Sequence, residues 1–342
     1  MSEPKLPIGK TIPPDVLESS FFKVQDKPYG NPELAYSLLV PKDWNVDSSL
    51  KAKTNQLGRE RLKPLAIFAA PDGSHSFIQL HAIGLPREIS AAHWLRHYAA
   101  TTDRTIVELE ELSVLFADSL MTFKIEDHTF VGRAAVRIDG DRLFMVFGFA
   151  IEAAYQALAE TFGLAISSFK LLSPSSRTSI EPHRRHNLAD IVQFDCPASW
   201  KHKVPENPPI GKQAIDFYHF DDNNAFQGLI RVKAVSKTVV NQSEEVIKNT
   251  VEEYADSNLI LRDKLHSSPV GSYSARFSNG FLIIYGCTIE GNEENQQELW
   301  ICAFEDEKHY IVTSLLTPSR RQIFYTWAFN KRAYEIVLES IQ

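Results

Sequence analysis

The sequence predicts an α+β protein made of two tandem homologous domains. The motif Pro-x-x-Trp occurs at Pro41 to Trp44 and again, 156 residues later, at Pro197 to Trp200, each time after a short apolar run. A Tyr-Ala pair follows each Trp at the same distance, with its tyrosine at Tyr98 or Tyr254. A repeat of this length is far longer than a solenoid period and indicates two domains of about 150 residues. We expect each to be an antiparallel sheet packed with a mid-chain helix and a C-terminal helix.

Changes in composition predict the domain boundaries. Residues 1–20 form a proline-rich leader, followed by a first domain over residues 21–172. Residues 173–188 are polar, rich in turn formers and without periodicity, so we interpret them as a linker. The second domain then covers residues 189–342.

The elements of the first domain follow from hydrophobic periodicity. Ser90 is a predicted N-cap for an amphipathic helix that contains Trp94 and Tyr98, because apolar residues recur there at helical spacing. A closing helix carries Tyr155, Phe162 and further apolar residues on one face. Strands are predicted over residues 34–40, 65–70, 77–83, 105–109, 119–125, 133–138 and 143–150.

The second domain repeats this order. A mid-chain helix is predicted from Ser243, and a closing helix contains Trp327 and Tyr334. Strands are predicted over residues 191–194, 214–220, 229–235, 298–304 and 309–316. Asp221 lies in a polar turn between two of these strands; a calcium loop is disfavoured because its spaced ligands and terminal Glu are missing.

This order of elements resembles the PsbP/Mog-type fold, including its bacterial DcrB-like branch. The resemblance rests on an apolar strand ending in Pro-x-x-Trp, then a hairpin, a helix, several antiparallel strands and a C-terminal helix, and it covers nearly the whole chain in two copies. Members of this fold family are mostly non-enzymatic and include photosystem assembly subunits, a Ran-binding transport factor and chaperones of type VI secretion effectors. The resemblance implies a protein-binding adaptor or chaperone, with a secretion-system effector or assembly as the expected client.

Comparison of the two copies predicts a binding surface in the first. One face of the last hairpin strand carries apolar or small residues in both copies. In the first copy this face is Phe144, Val146, Gly148 and Ala150, and we align it with Tyr310, Val312, Ser314 and Leu316 in the second. The opposite face is fully apolar only in the first copy, at Leu143, Met145, Phe147 and Phe149. Because an exposed apolar face needs a cover, we expect either the rest of the chain or a partner protein to cover these four candidate partner-binding residues.

No catalytic motif is found in the sequence. G-x-S-x-G, G-x-G-x-x-G, G-x-x-x-x-G-K-[ST] and H-E-x-x-H are all missing, so we expect no enzyme, no catalytic residues and no cofactor. The alternative hypothesis is an enzyme or small-molecule-binding protein with its site in the cleft between the two domains.

The histidines do not predict a metal site. His93 and His97 are one helical turn apart, but no acidic or cysteine ligand accompanies them. His183 and His186 flank two arginines in the predicted linker, where we expect a flexible basic segment that could contact an acidic partner.

Charge and cysteine usage restrict the partners and the compartment. The net charge of −7 is spread along the chain without a basic stripe, which disfavours nucleic acid. The three cysteines, Cys196, Cys287 and Cys302, are odd in number and lack C-x-x-C spacing, so we expect buried thiols in a reducing compartment. No signal-peptide core or membrane-spanning run is found, so the sequence predicts a cytoplasmic protein whose partner and oligomeric state are not identified.

Overall fold

The computed structural model describes residues 14–46, 57–59, 61–71, 74–205, 210–270 and 276–342. It divides into two compact units, Met1–Ile180 and Glu181–Gln342, which we call domain one and domain two. No helix in the described ranges is long and apolar enough to cross a membrane.

Domain one contains a seven-stranded antiparallel sheet and a small three-stranded sheet. Its elements are α1 (Pro14–Ser20), β1 (Phe21–Asp26), β2 (Tyr36–Pro41), β3 (Asn45–Val46), β4 (Lys63–Ala69), β5 (Phe77–Gly84), α2 (Ala91–Thr101), β6 (Thr105–Ser113), β7 (Phe116–Ile125), β8 (His128–Asp139), β9 (Arg142–Ile151), α3 (Glu152–Ser168) and β10 (Lys170–Leu171). The strand order is β3-β4-β5-β9-β8-β7-β6 in the large sheet and β1-β2-β10 in the small one.

Domain two repeats this architecture. Its elements are β11 (His183–Leu188), β12 (Val192–Pro197), β13 (Lys201–Lys203), β14 (Lys212–Phe220), β15 (Phe226–Ser236), α4 (Ser243–Ala255), β16 (Leu259–Pro269), β17 (Ser278–Ile289), β18 (Asn292–Glu305), β19 (His309–Pro318) and α5 (Phe324–Ser340). The large sheet has the order β13-β14-β15-β19-β18-β17-β16, which is the order of domain one. The predicted α+β class and the tandem duplication are therefore confirmed.

Local sequence explains where the helices begin and how they pack. The side chain of Ser90 accepts a hydrogen bond from the backbone N–H of His93, so the predicted N-cap of α2 is confirmed. On β9, Gly148 lies directly under Phe162 of α3, and a Cβ at that position would overlap the ring. The absence of a side chain at Gly148 therefore lets α3 approach the sheet closely.

The predicted linker contains a strand. Residues 183–188 form β11, which pairs antiparallel with β12 from His183 opposite Pro197 to Leu188 opposite Val192. Its side chains are mostly exposed and polar, but the ladder uses backbone groups, and the His186 ring packs on Phe194 at 5.8 Å between centroids. A polar composition therefore did not prevent strand formation here.

A buried carboxylate ties the start of α5 to the sheet of domain two. Glu298 on β18 is 1% exposed and accepts hydrogen bonds from the indole N–H groups of Trp300 and Trp327, each at 3.0 Å. It also accepts bonds from the backbone and guanidinium of Arg320. Burial alone would raise the pKa of the Glu298 carboxyl. The hydrogen bonds from Arg320, the positive charge of Arg320 and the bond from Trp300 outweigh burial, so this pKa lies below its usual value.

We expect Glu298→Gln to lower the free energy of unfolding of domain two by about 2 kcal/mol at pH 7, because the amide cannot accept all of these bonds. The folded pKa of Glu298 lies below the unfolded one, so the carboxylate stabilises the fold above the usual glutamate pKa and loses this effect as pH falls through the lowered value. Urea unfolding followed by tryptophan fluorescence should therefore find the difference shrinking in acid. Glu252→Gln, at an exposed site of α4, is the matched control; a pH-independent difference for Glu298→Gln would contradict this account.

Candidate functional site

The four residues predicted to bind a partner lie inside domain one. Leu143, Met145, Phe147 and Phe149 are 0%, 0%, 1% and 7% exposed. Of the two covers expected for this face, the chain itself is the one found, and the partner-binding surface predicted at these four residues is therefore wrong.

The mid-chain helix α2 and the chain that follows it cover this face of the sheet. The helix packs on β6, β7 and β8. The Arg104 guanidinium, just beyond the helix, lies 4.0 Å from the ring centroid of Phe123 and 4.8 Å from that of Phe147. The Tyr98 ring stacks on Trp94 and also contacts Arg104. The cover comes from domain one itself.

The apparent excess of apolar residues in domain one came from a one-residue error in aligning the two copies. Phe162 of α3 packs on Gly148, while Tyr334 of α5, at the same distance from the end of its helix, hydrogen-bonds the Thr313 side chain at 2.8 Å. Gly148 therefore lies on the same face of its sheet as Thr313, whereas Ser314, which bonds to Tyr254 of α4, lies on the other. A shift of one residue moves every side chain to the other face of a strand. With the shift corrected, both faces are largely apolar in both domains.

The two mid-chain helices cover their sheets to different extents. In α2 the buried residues are Ala91, Ala92, Trp94, Leu95 and Ala99, whereas in α4 they are Val246, Thr250 and Tyr254. The repeat places Thr250 at the position of Trp94, so a small polar side chain replaces a large ring. Helix α4 consequently leaves part of its sheet face uncovered.

Polar contacts hold α4 at its C-terminal end. The Tyr254 hydroxyl lies 2.9 Å from Ser314 Oγ, and Glu253 accepts a hydrogen bond from Lys233 Nζ at 2.8 Å. Burial lowers the pKa of Lys233, although the bond and charge of Glu253 act against this. These contacts fix one end of the helix, and the open part of the sheet lies along its other end.

An apolar groove of about 650 Å³ lies between the N-terminal half of α4 and strands β17 and β18. Residues from both elements line it: Ser243, Glu244, Ile247, Lys248 and Val251 on the helix, and Phe281, Ile283, Tyr285 and Ala303 on the strands. The helical residues recur every three or four positions and those of β17 every two, so each set comes from one face of its element. We call this site the α4 groove.

The chemistry of the α4 groove suits binding of apolar groups. Ile247, Val251, Phe281 and Tyr285 are only partly buried, so apolar surface remains accessible. The charged residues are at the rim, where Lys248 is paired with Glu252 at 3.7 Å on the exposed side of the helix. Burial of the accessible apolar surface by a ligand would be favourable.

A second cavity, of about 500 Å³, lies in domain one and is more polar. Arg142 is its buried cation, and it donates hydrogen bonds to the Asp139 carboxylate and to the backbone carbonyls of Glu33 and Ser173. Its donors thus connect the β8–β9 hairpin to neighbouring loops. This cavity has the character of a structural junction.

The remaining sequence candidates have structural roles. His93 Nδ1 lies 2.8 Å from the N-cap hydroxyl of Ser90. Asp221 accepts hydrogen bonds from the backbone of Asn223 and Ala225, which confirms the predicted turn. Across the described ranges, no three His, Cys, Asp or Glu side chains are grouped as metal ligands.

The three cysteines are free and buried, as predicted. Burial raises the pKa of Cys302 to about 12; for Cys287, burial and the charge of Glu298 raise it to about 12 as well. These thiols therefore stay protonated near neutral pH.

Several solved structures are similar in fold. Cyanobacterial PsbP (CyanoP) from Synechocystis sp. PCC 6803 has 14% identity and a TM-score of 0.34, covering 44% of this chain and 92% of that one. The Ran-binding protein Mog1p of Saccharomyces cerevisiae has 10% identity and a TM-score of 0.33, covering 47% and 95%. The T6SS immunity protein TplEi of Pseudomonas aeruginosa has 10% identity and a TM-score of 0.25, covering 87% and 96%.

These likenesses concern the fold alone. The PsbP and Mog folds named from the sequence are among them. No protein-family model matches the sequence, and no curated protein matches it.

The buried position of Phe147 predicts the effect of a charge there. We expect Phe147→Asp to lower the free energy of unfolding of domain one by at least about 4 kcal/mol, because it removes a buried ring and introduces a carboxylate beneath α2. Val107→Asp is the control, since Val107 on β6 is 44% exposed. Denaturant unfolding followed by circular dichroism would measure both, and a Phe147→Asp protein as stable as the control would show this face to be accessible after all.

Proposed function

We propose that this protein is a non-catalytic binding protein that holds an apolar, extended segment of a partner protein in the α4 groove. The observation that supports this proposal is the difference between the two mid-chain helices: α2 covers its sheet, whereas α4 leaves Ile247, Val251, Phe281 and Tyr285 partly accessible. Exposed apolar surface of this kind is typical of sites for proteins or ligands.

The dimensions of the groove favour an extended occupant. Its helical wall, from Ser243 to Val251, is about 12 Å long at 1.5 Å per residue, and its floor, from Phe281 to Tyr285, is about 13 Å long at 3.3 Å per residue. Phe281, Ile283 and Tyr285 recur every second residue along this floor, so their spacing matches the alternate side chains of an extended segment laid along it.

The rim does not favour a strongly charged occupant. Glu244 and Lys248, one turn apart on α4, contribute one charge of each sign. A segment with apolar side chains and few charges therefore matches the groove best. Two or three apolar side chains of such a segment would be enough to fill it, since alternate residues of a strand are about 6.6 Å apart.

We extend the proposal to an adaptor or chaperone role, with a secretion-system effector or assembly as the client class. The sequence-level resemblance to the PsbP/Mog-type fold and its DcrB-like branch supports this extension. The free, buried cysteines support a reducing, cytoplasmic location.

A second candidate function is the binding of a small apolar molecule. The observation that favours it is the volume of the α4 groove, which lies within the range of about 300–1,000 Å³ that is common for small-ligand pockets.

Affinity purification with matched variants tests the proposal. We expect the wild-type protein and the control Val107→Asp to enrich the same partner from native extract, and Ile247→Asp to reduce that enrichment at least tenfold by placing a carboxylate in the groove. A photo-crosslinking residue in place of Val251 should then label one apolar segment of that partner, and a synthetic peptide of this segment should bind the wild-type protein.

The same variants distinguish the alternatives. A partner that is enriched equally by Ile247→Asp would contradict the groove as the site. An apolar small molecule that native mass spectrometry finds on the wild-type protein but not on Ile247→Asp would favour the second function instead. Unfolding curves for Ile247→Asp and Val107→Asp serve as the control for folding.

A further inference from the structure

A second surface of domain two concentrates positive charge. Strands β11 and β13 lie next to each other at one end of the domain, and His186 on β11 contacts His202 on β13 at 5.1 Å between ring centroids. We call the surface formed by Arg184, His186, Lys201, His202 and Lys203 the basic strand surface. All of these residues except His186 are exposed, and His186 is partly buried.

Aromatic packing fixes the geometry of this surface. The His186 ring packs on Phe217 at 4.7 Å and on Phe194 at 5.8 Å, so its position is set by the core. Arg184 is two residues away on the same strand and lies on the same face as His186. His202 pairs with Phe217 across the ladder between β13 and β14.

The carboxylates near this surface are engaged with other groups. Asp195 lies 3.3 Å from Arg185 in an ion pair on the outer side of β11. Asp216, opposite Lys203 in the β13–β14 ladder, is paired with Arg231, and Glu181 accepts a hydrogen bond from the backbone of Ser199. Burial lowers the pKa of the His186 imidazole. The neighbouring His202 and Arg184 lower this pKa further, whereas the charge of Asp195 raises it. Among the residues that the structure describes, no ion pair is found for Arg184 or Lys203.

We propose that the basic strand surface binds an acidic, extended segment of a partner protein alongside β13. Within the described chain, β13 is an edge strand that pairs with β14, so its outer backbone groups remain available to an added strand. Neighbouring side chains alternate across that edge, with Lys201 and Lys203 on one side and His202 on the other. Carboxylates of an extended segment can therefore meet Lys201 and Lys203 on one side of the edge, and the His202 imidazole can donate a hydrogen bond on the other.

A nucleic acid suits this surface less well than an acidic peptide. The surface is short, because three residues of strand span about 10 Å. A duplex carries one charge per about 1.7 Å of axis and would extend beyond this surface over a chain with net charge −7. An acidic peptide segment can end where the basic surface ends.

This proposal is independent of the α4 groove. The basic strand surface lies at the β13 edge of the large sheet, whereas the groove lies at β17 and β18, near the opposite edge. A variant at one site should therefore leave binding at the other intact.

Fluorescence anisotropy on the full-length protein tests the proposal. The probe is a labelled ten-residue peptide of alternating Glu and Ser, used at about 50 mM salt, where exposed charges are weakly screened. We expect binding of this peptide to weaken at least tenfold in the double variant Arg184→Glu/Lys203→Glu. The control is Lys124→Glu/Arg137→Glu, which changes two other exposed basic side chains on strands and should alter binding less than twofold. Ile247→Asp should bind the peptide like wild type.

Three results would overturn the proposal. The first is equal binding of a Gln/Ser peptide, which would remove the role of charge. The second is an equal loss in both double variants, which would point to net charge instead of a site. The third is tighter binding of a single-stranded ten-nucleotide DNA, which would identify a general polyanion surface. Arg184→Gln/Lys203→Gln, with the urea midpoint of each variant, separates loss of binding from loss of fold.

Discussion

Each large sheet of this protein carries apolar side chains on both faces, and the rest of each domain is arranged to cover both. Contact between the last strand and the C-terminal helix covers one face: Phe162 lies against Gly148 in domain one, and Tyr334 bonds to Thr313 in domain two. Once this helix is fixed, the mid-chain helix must cover the other face, because an apolar sheet face left in water would be unfavourable. The duplication therefore preserved a packing scheme more strictly than it preserved residues.

The mid-chain helix is where the two domains diverge physically. Helix α2 is held by apolar packing that includes Trp94, and it covers its sheet. Helix α4 is held at its C-terminal end by polar contacts, such as the ion pair between Glu253 and Lys233. Contacts of this kind are directional and need a fixed separation, whereas apolar packing tends to close any gap. The α4 groove is the consequence of this change in how the helix is held.

Local patterns in the sequence were enough to predict the duplication, the helices and most strands, because periodicity and capping depend on neighbouring residues. The accessible face at Leu143 to Phe149 was predicted wrongly because the last hairpin strands of the two copies were compared one residue out of step. Thr313 bonds to Tyr334 of α5, whereas Ser314 bonds to Tyr254 of α4. An odd shift inverts the faces, and a comparison of strand sequences does not fix the register to one residue. The groove could not be predicted, since it depends on the height of a helix above a sheet.

The edges of the large sheets differ in how open they are to an added strand. Strands β6 and β16 end their sheets with irregular registers, at Ile106/Glu108 and at Leu261/Lys264 among others. Bulges and charges on an edge strand hinder pairing with further chains. The opposite edge of domain two, at β13, is short and shows a regular register with β14. A partner strand would therefore meet least resistance at β13. Lys201 and Lys203 supply positive charge at this same edge, so backbone access and charge favour the same place on the domain.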